Sequence, residues 1–144
     1  PLCGTASRLI ERYRRKKAAH LYGVDIFGEA IEGARENAGK ANVPSYFINK
    51  DFVEFSHSYT FDEVITELPA GSDKMTPDVL MILYKNFVRK LNQWMTPRGY
   101  VIVVTTEREY LLSLAARSGY LKAEKEWALS GKKEQYVVVL RYRG

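Results

Sequence analysis

Three short segments of the chain carry residue types that suit the binding of a nucleoside. The first is a turn of small residues, Cys3-Gly4-Thr5-Ala6-Ser7, ahead of a predicted helix whose free N–H groups attract carboxylates and phosphates. The second is Asp25, followed by Ile26, because an acid at the end of a strand can accept both hydroxyls of a ribose. The third is Asp51-Phe52, which offers an acceptor for an adenine amino group and a ring to pack on the base.

Each of these segments also has a purely structural explanation. Small residues form ordinary turns, Asp25 can cap a helix that starts near Phe27, and Asp51 can cap a turn. The three segments nevertheless share one position, the carboxyl end of consecutive strands, where α/β sheets bind nucleosides. Together they favour a nucleoside site over three unrelated turns.

Alternating β-rich and amphipathic segments predict the elements that position these residues. Apolar residues at helical spacing indicate one helix over residues 7–17, with Ser7 as its cap, and another over residues 29–41. β-Rich runs indicate strands over residues 20–26, 45–50 and 62–67.

The second half of the chain is predicted to continue this alternation. Thr76-Pro77 starts a helix with an apolar stripe made of Val79, Leu80, Leu83, Phe87, Leu91 and Trp94. A turn at residues 96–99 leads to a buried strand at 100–106 and a helix at 107–118 that stops at Gly119. Two final strands, joined by Ser130-Gly131-Lys132-Lys133, are predicted to pair as an antiparallel hairpin over residues 120–129 and 135–142.

This order of elements predicts one α/β domain over residues 1–144. Its core is a doubly wound, mostly parallel, Rossmann-like sheet with helices on both faces and a C-terminal antiparallel hairpin. A turn of small residues before a helix normally follows a central strand in such a sheet, and no residue precedes Pro1 in the sequence. We therefore expect the chain to be the C-terminal piece of a longer protein, with the first strand missing here.

Composition excludes several other classes of protein. A single cysteine among 144 residues excludes a disulfide within the chain and a cysteine-rich zinc site. The chain has only two histidines, so no metal site is predicted. Apolar runs fall short of the roughly 18 residues that a membrane helix needs, and no signal peptide opens the chain. We expect neither a membrane span nor secretion.

The net charge of +5 comes from one part of the chain. Residues 1–20 hold six basic side chains and one acid, Glu11, and the two signs balance over the rest of the sequence. This basic segment is either a solvated helix face or a patch that contacts phosphates. The charge by itself does not decide between the two.

Two longer segments resemble signatures of one protein family. The signature D-P-x-C-G-[ST]-G-[ST]-x-x-I-E is similar to PLCGTASRLIE at residues 1–11. A second signature, G-x-D-x-x-x-x-A-I-x-x-A-R-x-N-A, is similar to the segment from Gly23 to Ala38. On these motifs the chain resembles the THUMP-associated RNA methyltransferases over essentially its whole length. The resemblance implies a class I methyltransferase fold, S-adenosylmethionine as cofactor and, in several members, methylation of guanosine N2.

The resemblance also implies roles for individual residues and partners. Cys3, Gly4 and Thr5 would line the methionine end of the cofactor, Asp25 with Ile26 beside it would hold the ribose, and Asp51 with Phe52 the adenine. Ala6 stands where the family has a second glycine, which narrows the space for the cofactor. The implied partner is RNA, either tRNA or rRNA, held mainly by an N-terminal THUMP domain, and the implied location is the cytoplasm. Neither the RNA nor the oligomeric state follows from the sequence.

The catalytic motif is the main departure from the family. Where the family has [DN]-[PL]-P-[YF], often T-N-L-P-F-G, this chain has Thr66-Glu67-Leu68-Pro69-Ala70-Gly71. Glu67 and the Leu68 carbonyl, before the rigid Pro69, would accept the hydrogens of an exocyclic amine and stabilise its developing charge. Methyl transfer would then be direct, without a covalent enzyme intermediate. Ala70 cannot stack on a flipped base, so Tyr59, Phe61 or a ring outside the chain would have to replace it.

Two alternative functions stay open at this point. The domain is either a methyltransferase for another amine, such as a protein amide or a small molecule, or an inactive module that binds the cofactor and RNA. Glu67 and Ala70 are the residues that motivate the inactive alternative.

Overall fold

The structure is a computed structural model that describes residues 1–131 and 134–144. It divides into two compact units, Pro1–Phe55 (unit 1) and Ser56–Gly144 (unit 2), and each is described by itself. Lys132 and Lys133, which belong to the predicted hairpin connection, lie outside the described residues. Within the described part of the chain, no helix combines the length and the apolar character needed to cross a membrane.

Unit 1 alternates two helices with two parallel strands. In chain order these are α1 (Ser7–Arg15), β1 (Tyr22–Asp25), α2 (Gly28–Lys40) and β2 (Tyr46–Asn49). The strands pair from Tyr22 with Tyr46 to Asp25 with Asn49, so both carboxyl ends lie at one edge. The predicted elements are confirmed, with ends that shift by one or two residues.

The core of unit 1 depends on small residues. Ile31, Ala34 and Ala38 of α2 are buried in one apolar cluster with Phe47 of β2. At Gly23 a Cβ would lie 2.5 Å from Cδ1 of Phe47, closer than any real contact. Gly23 is therefore required because an aromatic ring occupies the space beside β1.

The start of α1 differs from the prediction that Ser7 is its cap. Ser7 is the first helical residue, and the cap position belongs to Ala6, with φ 69° and no side-chain hydrogen bond. Ala6 N donates to the Cys3 carbonyl at 2.9 Å, which closes the turn. Because Ser7 already has helical geometry, its hydroxyl is not placed to accept from the first N–H groups of the helix.

The described residues of unit 2 form a four-stranded sheet with two helices. Its elements are β3 (Phe61–Glu67), α3 (Pro77–Trp94), β4 (Met95–Thr105), α4 (Arg108–Ser118), β5 (Leu121–Leu129) and β6 (Gln135–Tyr142). The strand order is β3-β4-β6-β5. β3 and β4 are parallel, and β6 is antiparallel to both β4 and β5. The predicted C-terminal hairpin is therefore confirmed.

The apolar stripe of α3 is only partly as predicted. The helix begins as expected, with Thr76 Oγ1 accepting from Val79 N at 3.4 Å. Val79, however, is 49% exposed, whereas Tyr84 has no exposed surface. Tyr84 is polar at its tip, so the pattern of apolar residues missed it; its hydroxyl is satisfied by Thr105 Oγ1 at 2.6 Å.

The turn predicted at residues 96–99 is a kink inside β4. β3 pairs with β4 at Phe61 and Met95, and the register shifts before the pair Glu63–Tyr100. Arg98 has φ 66°, and a Cβ at Gly99 would lie 3.1 Å from the Asp62 carbonyl oxygen. The turn residues thus bend the strand while pairing continues on both sides, because a bulge absorbs the extra residues.

Tyrosine hydroxyl groups hold α3 to the rest of unit 2. Besides the Tyr84 contact to β4, Tyr142 of β6 donates to Asn92 Oδ1 at 2.8 Å. Tyr120, at the junction of α4 and β5, donates to the Val88 carbonyl at 2.8 Å. These contacts give the three tyrosine hydroxyl groups hydrogen-bond partners where the rings pack in unit 2, so none of the three phenol oxygens lacks a partner.

We expect the Tyr84→Phe variant to lower the free energy of unfolding by about 1–2 kcal/mol at neutral pH, because a buried hydrogen bond is lost. Burial raises the pKa of Tyr84 to about 12. The stabilisation by the neutral phenol is complete below the unfolded pKa of about 10 and is lost as the pH rises toward 12. The difference in the free energy of unfolding between the wild type and Tyr84→Phe should therefore decrease as the pH rises from about 10 to about 12. Urea titrations at several pH values measure this difference.

Tyr46→Phe is the matched control, since Tyr46 is 59% exposed. It should leave the free energy of unfolding at neutral pH unchanged. A difference in the free energy of unfolding between the wild type and Tyr84→Phe that stayed constant from pH 9 to pH 12 would contradict the raised pKa of Tyr84.

Candidate functional site

Asp25 is the centre of the candidate site in unit 1. It ends β1 and is 6% exposed. Its Oδ2 accepts from Gly4 N at 2.9 Å, and its Oδ1 accepts from Phe27 N at 3.0 Å. A carboxylate has about four acceptor positions, so these two contacts leave capacity for the hydroxyls of a ligand. The structural explanation of Asp25 as a helix cap is wrong, because Phe27 holds the cap position of α2 and no side chain caps that helix; the Phe27 contact closes a local turn over two residues instead.

The turn of small residues lies beside the end of β1. Cys3 N donates to the Val24 carbonyl at 3.0 Å, and Gly4 is bound by Asp25. Gly4 has φ 53°, and a Cβ there would meet no atom within 4 Å. The open space beside Gly4 is what a ligand that approaches the backbone requires. Thr5, the third predicted residue, continues this turn, and its carbonyl accepts from Asn37 Nδ2 at 3.1 Å.

Ala6 does not narrow this space in the way the sequence suggests. It is 1% exposed and belongs to the apolar core of unit 1, so its methyl group is accommodated among core residues. The left-handed conformation costs an alanine roughly 1 kcal/mol. Burial of the methyl group, worth about 0.8 kcal/mol, offsets most of that cost.

Cys3 lies beside the end of β1 and is a poor nucleophile. It is half-buried and packs against the core of unit 1. Burial raises the pKa of the Cys3 thiol to about 11, and the Asp25 carboxylate acts in the same direction. The thiol is therefore protonated at neutral pH, whereas nucleophilic cysteines need a lowered pKa.

Asn49 is a site residue that the sequence did not single out. Its Nδ2 donates to the carbonyl oxygens of Asp25 at 3.1 Å and Ile26 at 2.9 Å. These contacts fix the loop after β1, where Ile26 is 52% and Phe27 71% exposed. An apolar surface thus stands beside the Asp25 carboxylate. The only signal in the sequence is an amide at the end of the second strand.

Asp51 and Phe52 follow β2 but differ in what they offer. Asp51 Oδ1 accepts from Val53 N at 2.9 Å, so this side chain caps a turn, which leaves its second oxygen for other contacts. Phe52 is 6% exposed, and most of its ring is out of reach of a ligand. Their role as adenine contacts stays a prediction.

In unit 2, the segment Glu67-Leu68-Pro69 continues from the carboxyl end of β3. Glu67 is exposed, and its Oε1 accepts from Gln135 Nε2 at 3.3 Å. Leu68 is 3% exposed, and its N–H donates to the Val104 carbonyl at 2.9 Å. β4 therefore anchors the backbone just after Glu67, while the carboxylate remains at the surface.

Neither Tyr59 nor Phe61 can replace the missing ring at Ala70. Phe61 starts β3 and Glu67 ends it, and six residues of strand span about 20 Å. Tyr59 precedes Phe61 in the sequence and contacts His57. Both rings therefore belong to the opposite end of β3, and a base held at Glu67 would be out of their reach.

The end of β4 is braced by a buried hydroxyl group. Thr105 has no exposed surface, and its Oγ1 meets the Tyr84 hydroxyl and accepts from Glu107 N at 2.8 Å. This contact also binds the backbone at the start of α4. β4, which anchors Leu68, is thus itself bonded to α3 and to the residue before α4.

No metal centre is formed by the part of the chain that the structure describes. Across residues 1–131 and 134–144, no three His, Cys, Asp or Glu side chains are grouped to hold an ion.

Solved structures with the same fold are found across the whole chain. TrmN from Thermus thermophilus matches 99% of the chain with 20% identity and a TM-score of 0.81. A putative class I S-adenosylmethionine-dependent methyltransferase from Listeria monocytogenes matches 100% with 16% identity and a TM-score of 0.78. The chain spans 42% and 52% of the lengths of these two proteins.

A third structure with the same fold is a complex. N-methyltransferase NodS from Bradyrhizobium japonicum, bound to S-adenosyl-L-homocysteine, matches 97% of the chain with 14% identity and a TM-score of 0.71. The chain spans 74% of that protein. These likenesses confirm the predicted α/β class I methyltransferase fold.

The family described as UPF0020, RMKL-like, methyltransferase domain matches residues 2–135. The match includes the turn at Cys3, the segment around Asp25 and the Glu67-Leu68-Pro69 segment. Family and fold together imply S-adenosylmethionine as the cofactor. The chain therefore belongs to the RMKL-like methyltransferase domain family.

Proposed function

We propose that this domain transfers a methyl group from S-adenosylmethionine to an exocyclic base nitrogen of RNA, with guanine N2 in tRNA or rRNA as the target. The observation that carries the proposal is the Asp25 site. There, one buried carboxylate binds the turn at Gly4, retains acceptor capacity and stands beside the exposed side chain of Ile26. A carboxylate next to an apolar surface is the chemistry that a nucleoside needs.

The residues of unit 1 fit the implied cofactor. Asp25 would accept the ribose hydroxyls, and Cys3, Gly4 and Thr5 would line the methionine end. Ile26 offers the apolar surface for the adenine, with Asp51 as acceptor for its amino group and Phe52 supporting the loop from below the surface. S-adenosylmethionine, when bound, supplies an electrophilic methyl group on a sulfonium. The protonated thiol of Cys3 supports transfer without a covalent enzyme intermediate.

Glu67, Leu68 and Pro69 would hold the target amine. An exocyclic amine is a poor nucleophile because its lone pair is delocalised into the ring. The Glu67 carboxylate and the Leu68 carbonyl would accept its two hydrogens, which orients the lone pair and stabilises developing positive charge. Gln135 Nε2 donates to Glu67 Oε1 at 3.3 Å, so it steadies the carboxylate.

RNA as the substrate, and a THUMP domain as its main holder, are proposed from the motifs at residues 1–11 and 23–38. The relatives TrmN and the Listeria protein are about twice as long as the chain, so a further RNA-binding part is compatible with their lengths. On this function we place the protein in the cytoplasm.

A second candidate function rests on Ala70. The methyl group of Ala70 cannot stack on a base, and Tyr59 and Phe61 are at the other end of β3. A domain that binds the cofactor and RNA without turnover would tolerate this loss. A methyltransferase for an amine outside RNA would not need the stacking ring either.

The decisive experiment is methyl transfer by the protein to unmodified bulk tRNA and rRNA, with mass analysis of the nucleosides. We expect N2-methylguanosine to accumulate with time. Saturable binding of S-adenosylmethionine without any methylated nucleoside would favour the inactive module, and methylation of protein or small amines alone would favour the third function.

We expect the Asp25→Asn variant to bind S-adenosylmethionine about 10- to 100-fold more weakly by calorimetry, since it loses charge-assisted hydrogen bonds. Asp62→Asn is the matched control, because Asp62 accepts from Thr96 Oγ1 far along the chain from the site. Circular dichroism checks that both variants are folded. A folded Asp25→Asn variant with wild-type affinity would disprove the role of Asp25.

We expect the Glu67→Ala variant to keep its affinity for the cofactor and for RNA but to lose about 100-fold in kcat, as when one charge-stabilising group is removed from an active site. Asp73→Ala, which removes another exposed acid of unit 2, should retain wild-type turnover. Single-turnover rates measure both. Normal turnover in Glu67→Ala would remove Glu67 from the mechanism.

We expect the Ala70→Phe variant to raise kcat/KM for RNA about tenfold, because base stacking contributes roughly 1–3 kcal/mol. Ala70→Leu adds comparable apolar bulk without an aromatic face and should give a much smaller gain. Equal effects of the two substitutions would show that position 70 does not face the base.

A further inference from the structure

A groove with three basic side chains runs between α3 and α4 of unit 2. Its volume is about 430 Å³, and Lys85 and Arg89 of α3 and Arg117 of α4 line it. Arg117 lies in the last turn of the 11-residue helix α4, so it is roughly 15 Å from the start of that helix. The segment after Glu67 is anchored at the end of β4, next to the start of α4. The groove is therefore separate from the Glu67 segment.

The three cations have no acidic partner in the described part of the chain. Arg89 donates to Asn86 Oδ1 at 3.1 Å, and Lys85 and Arg117 form no ion pair within residues 1–131 and 134–144. Lys85 and Arg89 are four residues apart on α3, where like charges repel and destabilise a helix. A cation near a helix C-terminus stabilises the helix, which explains the presence of Arg117. Helix stability does not explain why Lys85 and Arg89 are both basic.

The floor and rim of the groove add an apolar and an aromatic surface. Val88 is 5% and Leu114 8% exposed, and they form the floor. Tyr120 is half-buried at the rim, with its hydroxyl held by the Val88 carbonyl at 2.8 Å. A fixed ring next to cations and an apolar floor is the combination by which proteins bind single-stranded nucleic acids, phosphates on the cations and bases on the ring.

We propose that this α3–α4 groove binds a single-stranded segment of the substrate RNA, with Lys85, Arg89 and Arg117 on its phosphates. This inference rests on the proposed function, because RNA is the anionic polymer that this domain would handle. The groove consists of residues of unit 2, whereas the basic segment of residues 1–20 belongs to unit 1. An acidic polypeptide would use the cations but not the ring.

The test compares two triple variants of the protein. The groove variant carries Lys85→Gln, Arg89→Gln and Arg117→Gln. The matched control carries Lys122→Gln, Lys125→Gln and Arg143→Gln, three exposed residues of unit 2 that do not line the groove. Both lose the same charge, and thermal melting checks that both are folded. Fluorescence anisotropy with a labelled single-stranded RNA, at several salt concentrations, gives the affinity and its salt dependence.

We expect the groove variant to lose at least about tenfold in affinity, and the slope of log K against log salt to become shallower by about 2, since each phosphate contact on a single strand contributes about 0.7. The control should keep the wild-type slope. Equal losses in both variants, or no loss in the groove variant, would overturn the proposal. Labelled polyglutamate that binds the wild type more tightly than RNA, and only through the groove, would also overturn it.

The same assay separates this inference from the proposed function, because it contains no cofactor and needs no turnover. If the wild type methylates RNA and the groove variant binds RNA normally, only the groove is refuted. If RNA binding depends on the groove and no nucleoside is methylated, the groove stands and the methyltransferase function for RNA fails.

Discussion

The carboxylate of Asp25 is the constraint on which the candidate site of unit 1 depends. It is 6% exposed and bonded to the N–H groups of Gly4 and Phe27, each a charge-assisted contact worth about 1.5–3 kcal/mol. The first holds the turn before α1 and the second holds the loop after β1. Asn49 binds the carbonyl side of the same loop. One buried acid thus sets the positions of the turn and of the exposed Ile26 together.

Unit 2 relies on buried hydroxyl groups in a comparable way. Tyr84 and Thr105 join α3 to β4, and Thr105 also binds the start of α4. β4 in turn anchors Leu68. The backbone beside Glu67 is therefore fixed by a strand that is itself bonded to α3. This arrangement suits a residue that must present one carboxylate oxygen at a defined place. Gln135 on β6 donates a hydrogen bond to Glu67 Oε1.

The elements were predictable because their sequence patterns are local. Helical and alternating spacing marked the four helices and six strands of the described residues, and Thr76-Pro77 marked the start of α3. The errors share one cause. Ser7 is not a cap, Val79 is exposed and residues 96–99 continue a strand because neighbouring segments, not the local sequence, decide those features. Tyr84 was missed since its burial requires Thr105, a residue that only the fold brings beside it.

The sequence by itself determined the fold class, because the spacing of apolar residues marks helices and strands locally, and its resemblance to family signatures indicated a methyltransferase domain and the candidate site residues. Only the tertiary structure decided how those residues are used. It showed that the Ala6 methyl group enters the core, that Phe52 is largely buried and that Tyr59 and Phe61 are far from Glu67. It also brought Lys85, Arg89 and Arg117 to one groove. Burial and distance between separate segments are properties of packing, which no spacing along the chain encodes.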